Sequence, residues 1–134
     1  MKHIPLEDDG HCFVCGKKNG SGLGLDFRNE GGRTISEFTP AKTHQGFKDI
    51  VHGGIIATIL DEAMVKAVIQ SGSEALTAEI SVRLKNPLFV GDSSRIEAEI
   101  TRAGSRLIEA SAVMTKEGGV VVAEAHAKLM RSHC

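Results

Sequence analysis

Residues 51 to 64 read VHGGIIATILDEAM: a His, two glycines, an apolar run and then two adjacent carboxylates, Asp61 and Glu62. Ile55, Ile56, Ile59, Leu60, Ala63, Met64, Ala67 and Val68 recur at steps of three and four, which predicts a substantially buried helix opening near Gly53 or Gly54. The first amides of a helix lack internal acceptors and carry the positive end of its dipole. Glycine at that end lets a substrate oxygen come close to the backbone, which suits Gly53 and Gly54 to an oxyanion hole. Asp61 lies seven residues past Gly54, so it returns to within roughly 20° of the same face but about 10 Å further along the axis. That is too far for both to act on one carbonyl carbon within one chain. Two copies packed antiparallel about a twofold axis would bring Asp61 of one to Gly54 of the other. Glu62 points about 80° aside and is the weaker candidate. The plain alternative is a Gly-Gly turn followed by a solvated acidic edge. The cost of leaving a carboxylate unpaired among apolar neighbours tilts Asp61 towards function. His52 reads either as a proton carrier or as a residue that hydrogen-bonds the turn.

The elements that must position these residues follow from turn chemistry and periodicity. Residues 1 to 22, containing DDGHCFVCGKKNGSG, predict an irregular lead-in, and 23 to 134 a single domain. Leu23 to Arg28 and Arg33 to Thr39 favour strands joined by a hairpin at NEGG, and Pro40 closes the second. A polar connector carrying His44, Gln45 and Gly46 leads into the helix, which Gly72 ends. Four strands are then expected, Ala75 to Leu84, Ser94 to Arg102, Leu107 to Thr115 and Val120 to Met130. Turns at KNP, AGS and KEGG between them are expected to join antiparallel neighbours. The fold class is therefore α+β, one long helix against one antiparallel sheet.

At 134 residues the chain has room for a core without covalent staples. A net charge of -1, with 25% charged residues, gives nucleic acid or an anionic membrane little to attract it, and the scarcity of aromatics (4%) disfavours base stacking. No window approaches the ~18 apolar residues of a membrane span, and the amino terminus lacks a secretory h-region, so a cytoplasmic protein is expected. Three cysteines in that setting predict reduced thiols. Cys12 and Cys15, with His11 beside them, form a Cys-x-x-Cys pair of the kind zinc sites use. One pair is only half a closed site, and the other donors, His3, His44, His133 and Cys134, have no paired spacing. No βαβ pattern surrounds the pair, which disfavours thioredoxin-like redox chemistry. Packing or turn formation by small thiols is the preferred reading, with no metal assigned.

VHGGIIATILDEA, with an acid nine residues after the His, resembles the central helix of hotdog-fold thioesterases of the phenylacetic-acid-pathway and 4-hydroxybenzoyl-coenzyme A type. CFVCGKKNGSGLGLDF is similar to the lead-in of one subgroup, and TAEISVRLKNPLFVGD to a family strand, so the likeness spans nearly the whole chain. The resemblance implies a hotdog fold, a helix wrapped by an antiparallel sheet. It also implies a homodimer that pairs its sheets, often doubled to a tetramer, with active sites at the dimer interface. The implied activity is hydrolysis of aryl or small to medium aliphatic acyl-coenzyme A to free acid and coenzyme A. Position by position, the amides of Gly53 and Gly54 would polarise the thioester carbonyl and Asp61 of the partner chain would be general base or nucleophile. His52 would support the turn, Gln45 would orient water or thioester, and the Thr77 hydroxyl would help hold the attacking water. No cofactor is implied, because coenzyme A is part of the substrate. Arg83, Lys85 or Arg131 could meet its phosphates, and Phe47 and Phe89 could line an acyl pocket. A non-catalytic acyl-coenzyme A binding module on the same fold is the main alternative, followed by a dehydratase or isomerase and a zinc-dependent interaction protein.

Overall fold

A computed structural model of the chain describes residues 5–132. Its centre is helix α1 (Gly53–Gln70), which buries Ile56, Ile59, Leu60, Ala63, Met64, Ala67 and Val68, a stripe at the three and four residue steps of one helix face. Gly72, at φ 90°, ends the helix as glycine does best. Against it lies a six-stranded sheet of β1 (Arg28–Glu30), β2 (Arg33–Phe38), β3 (Ala75–Leu84), β4 (Ser94–Ala103), β5 (Leu107–Lys116) and β6 (Val120–Arg131). The strand order is β1-β2-β4-β5-β6-β3 and each neighbouring pair is antiparallel. This is the expected α+β hotdog arrangement of one helix held in an antiparallel sheet. Among the described residues, no helix is long and apolar enough to cross a membrane.

The sheet accepts the helix because its middle is lined with small side chains. Ala98, Ala112 and Ala125 stand opposite one another on β4, β5 and β6, and all three belong to the same buried cluster as the helix stripe. Neighbouring rows carry Ile96, Met114 and Ala123, then Ile100, Ala110 and Ala127. Alanine beneath the helix axis with larger residues towards the margins lets the backbone layers approach and the sheet curve round. On β6 a bulge opposite Met114 and Thr115 inserts one residue, which is why consecutive Val122 and Ala123 are both buried.

Two expectations are corrected. The first strand does not run from Leu23 to Arg28; β1 begins only at Arg28. The N–H groups of Leu23 and Leu25 instead donate to Phe13 and Val14 in the lead-in, and Gly24 takes φ 63°, so this stretch pairs with the lead-in rather than the sheet. The hairpin itself turns through Gly31 and Gly32, both at positive φ, a conformation that glycine enters at no steric cost. Secondly, β3 and β4 are not neighbours. Residues 85–93 cross over with Leu88 buried and Phe89 bridged to Ile50, while β3 pairs with β6 at the sheet margin. KNP is thus the start of a crossover and not a hairpin.

The tight floor under the helix gives a direct test. Ala112→Leu adds three heavy atoms to a side chain buried in the core cluster, and is expected to lower stability by about 1–3 kcal/mol, measured by urea unfolding at constant protein concentration.

Candidate active site

The helix begins where it does because His52 caps it. His52 has extended backbone, and its Nδ1 accepts the N–H of Gly54 at 2.9 Å, while its carbonyl takes the N–H groups of Ile55 and Ile56. The turn reading of His52 is the one the geometry displays. It also distinguishes the two glycines. The Gly54 amide is committed to the imidazole, whereas the Gly53 N–H has no acceptor among the described residues. A Cβ on Gly54 would lie 3.0 Å from His52 Nδ1 and crowd the cap; one on Gly53 would meet only the flexible end of Leu84.

Gly53 lines a groove of about 670 Å³ between the loop before α1, the first helical turn and the β3–β4 crossover. Phe47, Ile50, Ile56, Leu84 and Leu88 make it largely apolar, with Lys85 and Asn86 at its margin. Phe47 is 88% exposed, an apolar ring facing solvent at the groove, whereas Phe89 is not among its lining residues. Gln45 lies in the loop just before α1. Its side-chain carbonyl accepts the N–H of Asp49, a residue at φ 63°, and its backbone bridges Val51. Gln45 therefore shapes the loop with one end of its amide.

Asp61 and Thr77 come together. Thr77 Oγ1 donates to Asp61 Oδ1 at 2.6 Å, with both side chains half-buried, and a bulge at Ala78 follows Thr77 on β3. Neither residue lines the groove. Asp61 stands eight residues beyond Gly53, or about 12 Å along the helix at its ordinary rise. The chain thus carries an amide with no acceptor among the described residues beside an apolar groove, and a hydrogen-bonded carboxylate further along the helix. Of the cations considered for phosphates, Lys85 pairs with Glu124, Arg131 donates to Gly104 and Ser73, and exposed Arg83 stands opposite Glu124 on β6, whose carboxylate its charge also favours.

Glu62 has a different neighbourhood. Its Oε2 accepts from Cys12 Sγ at 3.3 Å and from Cys15 Sγ at 3.1 Å. Burial, with the hydrogen bond to Glu62 second, pushes the Cys15 thiol up to about 12. This contact joins residues 47 and 50 positions apart, so no local spacing announces it. The available hint is that adjacent helical residues diverge by about 100°, so Asp61 and Glu62 must serve different neighbours. His3, His133 and Cys134, considered above as metal donors, lie outside the described residues.

Residues 48–123, more than half of the chain, match the thioesterase superfamily, and the chain belongs to that family. Among solved structures it is similar to smu.793 of Streptococcus mutans bound to acetyl CoA, at 21% identity over 80% of this chain and 87% of that one, with a TM-score of 0.75. It is also similar to a hypothetical thioesterase of Streptococcus pneumoniae with coenzyme A, at 18% identity, 80% and 84% coverage and a TM-score of 0.75. The PaaI protein from the phenylacetic acid degradation operon of E. coli gives 21% identity, 81% and 80% coverage and a TM-score of 0.76. At these identities the likeness establishes the hotdog fold. No curated protein matches this chain.

The capping role of His52 is open to measurement. His52→Ala should cost about 0.5–2 kcal/mol of stability, and His52→Asn, which retains a capping acceptor, should recover most of it; thermal unfolding of the three proteins decides.

Proposed function

We propose that the protein hydrolyses acyl-coenzyme A thioesters, aryl or small to medium aliphatic, at sites shared between two chains. The observation that carries this reading is the division of labour along α1: an open amide at Gly53 beside an apolar groove, and a carboxylate at Asp61 held by Thr77. Thioester hydrolysis needs a donor for the developing oxyanion and a group that handles the nucleophile. Gly53 N–H is the donor, favoured over Gly54 because His52 already occupies the latter. Asp61 takes the proton of the attacking water, or attacks the carbonyl itself to form an anhydride that water then opens. In either case the carbon–sulfur bond breaks and coenzyme A leaves as the thiol. Thr77 fixes Oδ1 and leaves Oδ2 towards the reaction. His52 supports the turn, and the free nitrogen end of Gln45 orients water or thioester. Every role in this chemistry is filled by the chain, so no cofactor is assigned to it.

The free edge of β3 supports the shared site. Among the described residues its outer side pairs with no other strand, and such edges are templates for a second chain. Thr77 lies towards one end of β3 and Leu84, which neighbours Gly53, lies at the other. Antiparallel pairing of β3 with its twofold mate, centred near Ile80, carries Asp61 and Thr77 towards the partner's Gly53 and closes both half-sites. We assign a homodimer on this basis, with a dimer of dimers as the larger assembly, acting in the cytoplasm. Structures of the Streptococcus pneumoniae protein include an Asp-to-Ala and a Thr-to-Ala variant at positions sixteen apart, the same residue types and spacing as Asp61 and Thr77.

The test is thiol release from a panel of aryl and aliphatic acyl-coenzyme A thioesters. Asp61→Asn should lower kcat/KM by about 10²- to 10⁴-fold while oligomer size is kept. Gly53→Pro removes one N–H at the first helical position, where proline is tolerated and where His52 already has the extended backbone proline requires of its predecessor. It should lower kcat by about 10²- to 10³-fold, and Gly53→Ala, which keeps the N–H, should lose far less. Tight acyl-coenzyme A binding without turnover by the wild type would replace the hydrolase with a binding module.

A further inference from the structure

In sequence, Cys12 and Cys15 have no second pair of ligands at a matching spacing, which favours packing or turn formation. The fold supplies a third donor. Cys12 Sγ, Cys15 Sγ and a Glu62 carboxylate oxygen all lie within 4.8 Å of one another, contributed by a tight loop and by the middle of α1. Tetrahedral zinc with bonds of about 2.3 Å to sulfur and 2.0–2.2 Å to oxygen requires donor atoms separated by roughly 3.5–3.8 Å. The observed contacts of 3.1 and 3.3 Å between sulfur and oxygen need only a slight opening to admit the ion.

The loop is built to hold both sulfurs on one side. Gly16 N–H donates to Cys12 O at 2.9 Å, and Lys18 N–H returns to Gly10 O at 2.9 Å. A side chain at Gly16 would place its Cβ 2.4 Å from Cys12 N and 2.6 Å from Gly10 O, so this turn admits only glycine. Asn19 Nδ2 donates to His11 O and ties the far side of the loop. Thiolates with a carboxylate suit a borderline-soft divalent cation better than calcium or magnesium, which prefer oxygen alone. Two thiolates and one carboxylate around a divalent ion carry one net negative charge, and Lys66, one helical turn beyond Glu62 and lining the same cleft, offsets it. The cluster opens on a cleft of about 620 Å³ lined also by Asp8, Asp9 and His11, from which a side chain or water can fill the fourth position.

We propose that Cys12, Cys15 and Glu62 bind one zinc-class divalent cation, which staples the lead-in to α1. A Cys12–Cys15 disulfide is the competing use of the pair; it would leave Glu62 without its two donors.

The test uses the full-length chain, purified without a metal-affinity step. Metal analysis should find about one zinc per chain, and Cys12→Ser, Cys15→Ser and Glu62→Gln should each lower that content. Apo protein titrated with Co2+ should develop sulfur-to-cobalt charge-transfer absorption and intense tetrahedral d–d bands, displaced by Zn2+. Because variants can unfold, the wild type supplies an independent readout: Zn2+ should protect Cys12 and Cys15 from alkylation, mapped by mass spectrometry, and chelation should lower Tm. Apo protein that gives no cobalt–sulfur band and no zinc protection overturns the proposal. So does a Cys12–Cys15 disulfide that persists in protein purified without reductant, which would assign the pair to redox chemistry.

Discussion

The structure depends on one packing constraint: a single helix must fill the concave side of the sheet. Ile59, Leu60, Ala63, Met64 and Val68 are almost wholly removed from water. The alanines of β4, β5 and β6 give them a floor that larger residues would deny. Polar residues on such a helix have no place in the stripe itself and must leave at its flanks. Asp61 and Glu62 interrupt the stripe between Leu60 and Ala63, and each is only half-buried because each finds a partner at a flank. The cost of a carboxylate near an apolar core is met locally, by a threonine hydroxyl for one and by two thiols for the other.

The same constraint separates the two groups of the proposed site. An exposed amide exists only at a helix end, because every later N–H is consumed by the helix. A carboxylate positioned by the sheet must stand further along. The two therefore sit at different levels of α1, and in the proposed dimer a twofold operator through the β3 edge brings unlike ends of two identical helices together. His52 contributes by choosing which amide remains: its ring accepts from Gly54 and leaves Gly53 open.

Much of this was legible in the residues. The run from Ile55 to Val68 has a period that only a helix satisfies, Gly72 stops it, and β3 to β6 fall within a residue of where alternation and turn chemistry place them. The glycine end, the Asp61 level and the mismatch between them follow from helix geometry alone. What was not legible depends on contacts distant in sequence. Leu23 to Phe27 have strand-like side chains, yet the N–H groups of Leu23 and Leu25 are taken by the carbonyls of Phe13 and Val14. KNP looks like a hairpin turn, but β3 finds its partner in β6 some forty residues later, and local chemistry cannot reveal which strand closes a sheet. Glu62 likewise looks like a spare acid until the lead-in folds over it. Which glycine amide stays free turned on a histidine rotamer that carries no sequence signature.

The pairing of Asp61 with Glu62 gains a physical reason from this geometry. A half-buried carboxylate serves a reaction only if its orientation is held to within a fraction of an ångström, and one hydrogen bond fixes only one of its oxygens. Thr77 holds the Asp61 side chain from β3, while the next residue ties the same helical turn to the lead-in through Cys12 and Cys15. The lead-in is itself anchored: Val14 is buried, and the carbonyls of Phe13 and Val14 accept the N–H groups of Leu23 and Leu25. The turn that bears Asp61 is thus gripped by the sheet and by the lead-in, along directions about 100° apart. In the proposed reaction the second acid has no part at the reacting carbon; its contacts fix the backbone that carries Asp61.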